Sequence, residues 1–375
     1  METSGTNFPT ALRAPDLAPV ALAKGPFASV ELSTEQAVEN AAQLEEMRWR
    51  ALRGSLADAG APESVLVAID GVVGDAHLEG NGLTVVANGE GVLVAEHHPG
   101  PPWREQAQWA PLPSLVPLLA HRQAAPAVVA VVADRAGADL VALHPGTAEE
   151  IHREAGGGAD PLAKSKPGGW SQRRYQQRAE NTWEQNAKDV AAEVTKLADR
   201  TNARLLVAAG DVRALQLLQE SLPQEWLDVL RVMDGGRSED GSLDHLTDEI
   251  GPFVVEAVDQ DTDRLLEKFR EEMGQRDRAV EGVEGTFAAL AKAQVEVLLV
   301  GNDPDDERAA WFGPDATAAA LNQEDLTGLG VDSPLEARLV DVAVRATLGT
   351  GAGVWVVPPE KVPSGGLGAL LRWGD

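Results

Sequence analysis

The sequence predicts an α/β (α+β) chain built from three domains, each with a mixed sheet. Three observations lead there. Short Val- and Leu-rich runs bounded by Gly and Asn turns alternate with segments of helical period, which is the pattern of layered α/β folds. At 375 residues with 43% apolar content, the chain is long enough to bury more than one core. Changes of composition near residues 122 and 250 divide it into a flexible tail at 1–25 and domains at 26–122, 126–250 and 256–375.

In the first domain, Phe27 to Leu32 reads as a strand and Glu35 to Ala59 as a helix with an Ala, Leu and Met face. Ser64 to Asp70, Gly82 to Asn88 and Gly91 to Glu96 read as three strands separated by turn residues. A proline-rich stretch from Pro99 to Pro113, with Leu115 to Leu119, closes the unit. In the second domain, Ala127 to Asp134 and Ala138 to His144 form a hairpin across Arg135-Ala136-Gly137. A glycine-rich loop follows. A long helix then runs from about Ser171 to Arg200, with Tyr175, Ala179, Trp183, Ala187, Val190, Val194 and Leu197 as its buried stripe. Arg204 to Ala209 and Leu227 to Met233 are strands flanking a helix over Ala214 to Glu220. The third domain opens with a charged helix from Glu256 to Gln275 and a helix over Gly282 to Lys292. It continues with the buried strand Val295 to Val300, a helix over Val340 to Leu348 and the strand Gly353 to Val357.

Charge singles out one segment. The chain carries a formal −27, whereas residues 161–179 hold Lys164, Lys166, Arg173, Arg174 and Arg178 and no carboxylate. An acidic body suppresses nonspecific contact with phosphate backbones, so a polyanion docks on this loop or nowhere. Arg173 and Arg174 fall in the first turn of the long helix, where the macrodipole disfavours cations and an anionic partner would compensate. Trp170 could stack on a base, and Gly168 and Gly169 permit close backbone approach. The competing reading is an ordinary solvated loop with the tryptophan folded onto its own domain.

Other chemistries are excluded or weakly signalled. Absent cysteine rules out disulfides, thiolate metal sites and a cysteine nucleophile. Gly158 to Ser165 falls one residue short of a phosphate-binding P-loop, because Ala163 stands at the second glycine and Pro167 halts the helix that must follow. His97-His98 and His152 lack ligand spacing to carboxylates and read as surface residues, and Asp303 to Glu307 lacks the glycine and distal glutamate of a calcium loop. Glu180, Glu184, Asp189 and Glu193 read as exposed partners of Lys188 and Lys196. No cofactor or metal is expected. No run approaches 18 apolar residues and the N-terminus lacks a signal-peptide pattern, so the expected place is the cytoplasm, without membrane contact.

The string Gly168-Gly169-Trp170-Ser171-Gln172-Arg173-Arg174-Tyr175, continuing through Arg178, Glu180 and Asn186, resembles the middle domain of archaeal and eukaryotic class-1 release factors. There a Gly-Gly-Gln loop precedes a long Arg- and Glu-rich helix. Leu206 to Gly210, Val232 to Gly241 and Gly282 to Val300 resemble the strands and the start of the C-terminal domain that follow in those factors. The glutamine is displaced: Trp170 and Ser171 intervene before Gln172, a shift of several ångströms at about 3.3 Å per extended residue. The Asn-Ile-Lys-Ser decoding motif is absent too. A release-factor body without these motifs resembles the bacterial relatives of the family, among them Balon-type ribosome hibernation factors.

The resemblance implies a three-domain release-factor-like architecture and a non-enzymatic, stress-related factor that occupies the vacant A site of idle ribosomes. It implies contact with 23S rRNA at the peptidyl-transferase centre through Lys164, Lys166, Gly168, Gly169, Trp170, Ser171, Gln172, Arg173, Arg174 and Arg178. The small-subunit decoding centre, elongation factor Tu and tRNA are the further partners it implies. The alternative is a peptidyl-tRNA hydrolase or tRNA-cleaving rescue factor with Gln172 as its catalytic group.

Overall fold

Strand pleating sorts the first part of the chain into two faces. The computed structural model describes residues 13–35, 41–74, 80–134, 137–143, 151–156, 169–233, 244–275 and 278–374. In chain order, its first part comprises α1 (Ala18–Leu22), β1 (Phe27–Ser33), α2 (Ala41–Asp58), α3 (Glu63–Val73), β2 (Gly82–Asn88), β3 (Gly91–His98), β4 (Gln106–Ala110) and α4 (Val116–Ala124). The four strands form an antiparallel sheet in the order β3-β2-β1-β4. Ala28, Val30 and Leu32 of β1, with Leu83, Val85 and Ala87 of β2, pack against Trp49, Leu56, Leu66 and Ile69 from α2 and α3. The opposite face carries Phe27, Ser29, Glu31 and Ser33 by the period of two.

Two expectations are corrected here. Ser64 to Asp70, expected as a strand, lies within helix α3. Its buried residues Val65, Leu66, Ile69 and Val73 recur at helical spacing, which the short apolar run conceals. Of the expected flexible tail at 1–25, residues 13–25 are described and are packed: Ala14, Leu17, Val20 and Ala21 are buried in the same core as Phe287, Leu298 and Val344.

The second part comprises β5 (Val128–Ala133), β6 (Gly137–Leu143), β7 (Ile151–Gly156), α5 (Gly169–Thr201), β8 (Leu205–Gly210), α6 (Val212–Ser221), α7 (Gln224–Asp228), β9 (Leu230–Val232) and α8 (Asp244–Gln275). Its sheet runs β7-β6-β5-β8-β9, with the β5–β6–β7 pairings antiparallel and β5–β8–β9 parallel. Side chains from α5 and α6 cover one face, and Ile250, Phe253, Val254 and Ala257 of α8 cover the other. The segment expected as one strand, Leu227 to Met233, splits into α7 and the short β9.

The third part comprises β10 (Ala279–Glu281), α9 (Val283–Ala291), β11 (Val295–Gly301), β12 (Ala309–Phe312), β13 (Ala319–Ala320), α10 (Gln323–Gly328), β14 (Leu335–Arg338), α11 (Leu339–Gly349), β15 (Gly353–Val357) and β16 (Leu367–Leu371). Its larger sheet has the order β10-β16-β11-β15, with β11 and β15 parallel. Leu298 and Val300 face the core that holds α9 and α11, whereas Val297 and Leu299 face Leu265, Leu266 and Phe269 from the end of α8.

Contacts divide the chain into two units, residues 1–123 with 261–375, and residues 124–260. The first and last parts of the sequence therefore share one core. One link between them is a side chain that imitates a strand. Gln123 donates from Nε2 to the Val356 carbonyl at 2.8 Å and accepts from the Val356 amide at 2.9 Å, closing the outer edge of β15.

Candidate functional site

Helix α5 starts at Gly169, so Trp170, Ser171, Gln172, Arg173 and Arg174 occupy its first turns and Arg178 follows one turn after Arg174. Lys164, Lys166 and Gly168 lie outside the described residues, as do the side chains of residues 169–183. The first turn of the helix holds no acidic residue, so no side chain of that turn offsets the positive end of the helix dipole. The helical backbone also refines the displacement of the glutamine. Two intervening helical residues move position 172 by about 3 Å along the axis and about 200° around it, rather than the larger shift of an extended chain.

What holds this element is legible residue by residue. Ala187 is buried, and Val190, Ala191, Val194, Leu197 and Ala198 are buried at three- and four-residue spacing against Val129, Val131, Leu140 and Leu206 of the sheet and Leu215 and Leu218 of α6. The expected stripe is thus present over its described half, while Tyr175, Ala179 and Trp183 fall among the side chains outside the description. On the exposed face Lys196 pairs with Glu193 at 3.5 Å, and Gln185 donates to Asp189 at 3.0 Å. Gly210, the last residue of β8, has φ 132°, and a Cβ there would collide with the Ala133 carbonyl of neighbouring β5. Asp211 then caps α6 by accepting from the amides of Arg213 and Ala214 at 3.0 and 3.2 Å.

A second polar cluster lies on the N-terminal sheet, where the sequence reading expected surface histidines. His98 is buried, and its ring stacks on His121 of α4 with centroids 4.0 Å apart and planes 10° from parallel. Thr84 Oγ1 lies 2.8 Å from His98 Nε2 and 2.8 and 2.9 Å from the two oxygens of Glu31. Glu31 Oε2 is 3.6 Å from His121 Nε2. Burial pushes the Glu31 carboxyl above its usual range, against the pull of His121 and Thr84. Burial, reinforced by the neighbouring His121, pushes His98 down to about 3, so it stays neutral. Arg122, next along α4, binds Glu96 on the same sheet face at 2.7 Å and Asp16 at 2.8 Å.

Glu31 and Thr84 are direct cross-strand partners, and Thr84 opposes Glu96, two residues before His98. All therefore share one face of the pleat. Spacing along the chain could not show this, because the members come from β1, β2, β3 and α4. Two ring nitrogens and a carboxylate form a donor set able to hold a metal ion, and it is the one such group among the described residues.

Asp303 to Glu307 behaves as a self-capped turn. Asp303 accepts from the Asp305 amide at 3.0 Å, Asp305 pairs with Arg104 at 2.6 Å, and Asp306 holds Arg308 through both carboxylate oxygens at 2.8 and 2.7 Å. Arg338 donates to the carbonyls of Asp303 and Asp306, so arginines occupy the surroundings a calcium ion would need. Asp341, in the first turn of α11, is buried with neither carboxylate oxygen hydrogen-bonded among the described residues, and Arg338 approaches only to 3.9 Å. Burial lifts its pKa to about 7, opposed by Arg338 and the neighbouring Gln108 amide. No described helix is long and apolar enough to cross a membrane.

Comparison with known proteins places the middle of the chain. Residues 127–275 match the family described as Bacterial archaeo-eukaryotic release factor family 2, a span holding every element from β5 to the end of α8. The resemblance carried by the Gly-Gly loop, the long helix and the strand after it is thus to the bacterial branch of these factors. The protein Rv2629 of Mycobacterium tuberculosis is 27% identical over 356 residues, covering 94% of each chain. Among solved structures, archaeal translation termination factor aRF1 is 16% identical over 95% of this chain and 96% of its own, with TM-score 0.25. Ribosome-bound archaeal Pelota is 13% identical over 96% and 95%, with TM-score 0.41.

Proposed function

We propose that this chain is a ribosome-binding translation factor that occupies the vacant A site of idle ribosomes and protects them. Its loop and first helical turns, Lys164 to Arg178, contact 23S rRNA at the peptidyl-transferase centre, and the decoding centre of the small subunit is its second contact. The observation that carries this reading is the release-factor match over residues 127–275, because that span contains the one cationic segment of a chain with a formal −27 charge. An acidic body with a single basic element favours one docked orientation on a polyanion over indiscriminate binding. A non-enzymatic role is favoured by the position of Gln172, displaced along and around a helix from the residue that follows two glycines in hydrolytic release factors. Elongation factor Tu and tRNA are the additional partners this reading brings with it.

Sedimentation of lysates from starved cells tests it. The full chain should travel with the 70S or 50S peak, and the variant carrying Lys164→Glu, Lys166→Glu, Arg173→Glu and Arg174→Glu should remain at the top of the gradient. The affinity should fall with salt at a log–log slope of about −4, the value for five phosphate contacts. Absence of the unaltered chain from both peaks would remove the ribosomal reading. If Gln172→Ala abolished peptide release or tRNA cleavage on stalled ribosomes while binding persisted, a hydrolase would replace the protective factor.

A further inference from the structure

We infer that Glu31, His98 and His121 form a binding site for one divalent transition-metal ion of the zinc type. One ligand atom from each residue lies within 4.8 Å of the others, and the Glu31–His121 edge is already 3.6 Å. Bonds of about 2.0–2.1 Å in a tetrahedral site put ligand atoms about 3.4 Å apart, so the three side chains, already within 4.8 Å of one another, must draw together to close on an ion. Two imidazoles with one carboxylate suit zinc-type ions rather than calcium or magnesium, which prefer all-oxygen shells.

Charge argues the same way. Glu31 is 5% exposed, and its described polar partners are the Thr84 hydroxyl and His121, with no lysine or arginine among them. A carboxylate removed from water is stabilised by a cation in contact, and a bound divalent ion supplies one. Arg122, the nearest guanidinium along α4, is already held by Glu96 and Asp16.

The ligands sit on three separate regular elements, β1, β3 and α4. The stacked rings hold their nitrogens in parallel planes, so binding one ion in plane requires the imidazoles to rotate out of the stack. When His98 Nε2 turns to the ion, the Thr84 hydroxyl keeps its bond to Glu31 and orients that carboxylate. The His121 side chain is 18% exposed, which leaves a route for the ion from solvent. Three protein ligands leave a fourth position for water, and the bound ion would tie β1, β3 and α4 together.

The test is calorimetric titration of the metal-free full chain with Zn²⁺, with Co²⁺ as the spectroscopic probe of tetrahedral nitrogen and oxygen ligation. The expected result is saturation at one equivalent with tetrahedral cobalt bands. Glu31→Gln and His121→Gln should each weaken binding about 100-fold or more, and Thr84→Val about 10-fold. His97→Gln should leave it unchanged, since strand alternation puts position 97 on the opposite face. Failure of the unaltered chain to saturate at one equivalent overturns the inference however the variants fold. Equal affinity in folded Glu31→Gln and His121→Gln proteins, checked by circular dichroism, overturns it as well.

Discussion

Replacing Asp341 with asparagine should abolish a pH dependence of stability that the buried carboxylate imposes on the unit formed by residues 1–123 and 261–375. The folded-state pKa is raised from the ordinary 3.8 to about 7, so between those values the native state keeps a proton that the unfolded chain has released. Stability therefore falls as pH rises through this window and is lowest above about pH 7. A rise from 3.8 to about 7 corresponds to about 4 kcal/mol, at 1.36 kcal/mol per tenfold change in proton affinity. An asparagine carries no charge at any pH and removes this dependence. Asp341→Asn should thus stabilise the unit by about 4 kcal/mol more at pH 8 than at pH 4. Hydrogen exchange of the α11 amides in a urea series, read by mass spectrometry, follows this unit without reporting on the other. A difference between the two proteins that stays constant from pH 4 to pH 8 would refute the reasoning.

Three further outcomes concern the unit that carries α5. Leu197 is fully buried beneath the helix, so Leu197→Ala should lower the stability of residues 124–260 by about 3 kcal/mol in urea unfolding and leave exchange in α11 unchanged. Gly210→Ala forces a Cβ into the Ala133 carbonyl at positive φ and should cost about 2 kcal/mol or more, seen as a lower denaturation midpoint with an unchanged slope. Asp211→Ala removes the N-cap of α6, leaving two amides without their acceptor, and should cost about 1 kcal/mol in the same assay.

Elements with a long or clean period are legible in the sequence. The Ala187 to Leu197 stripe states which face of α5 is buried, and the apolar run of β15 belongs to a strand buried on both faces. The failures have local causes. In α3 the compact run Val-Leu-Val-Ala-Ile satisfies both periods until Val73 is included. β7 carries the mixed string Ile-His-Arg-Glu-Ala-Gly, and its strand state comes from pairing with β6 rather than from its own composition. α1 looks like part of a Pro- and Ala-rich tail until α11 supplies a surface for Leu17 and Ala21.

The sequence alone determined the cationic segment, its glycines, the long helix behind it and the displacement of Gln172, because each is a matter of residue order and local period. Tertiary structure alone decided that the two ends of the chain share a core and that Glu31, Thr84, His98 and His121 meet on one sheet face. The physical reason is that pairing between strands distant in sequence, and the docking of α4 on their outer face, set those neighbours. Neither leaves a mark in the spacing of the residues concerned.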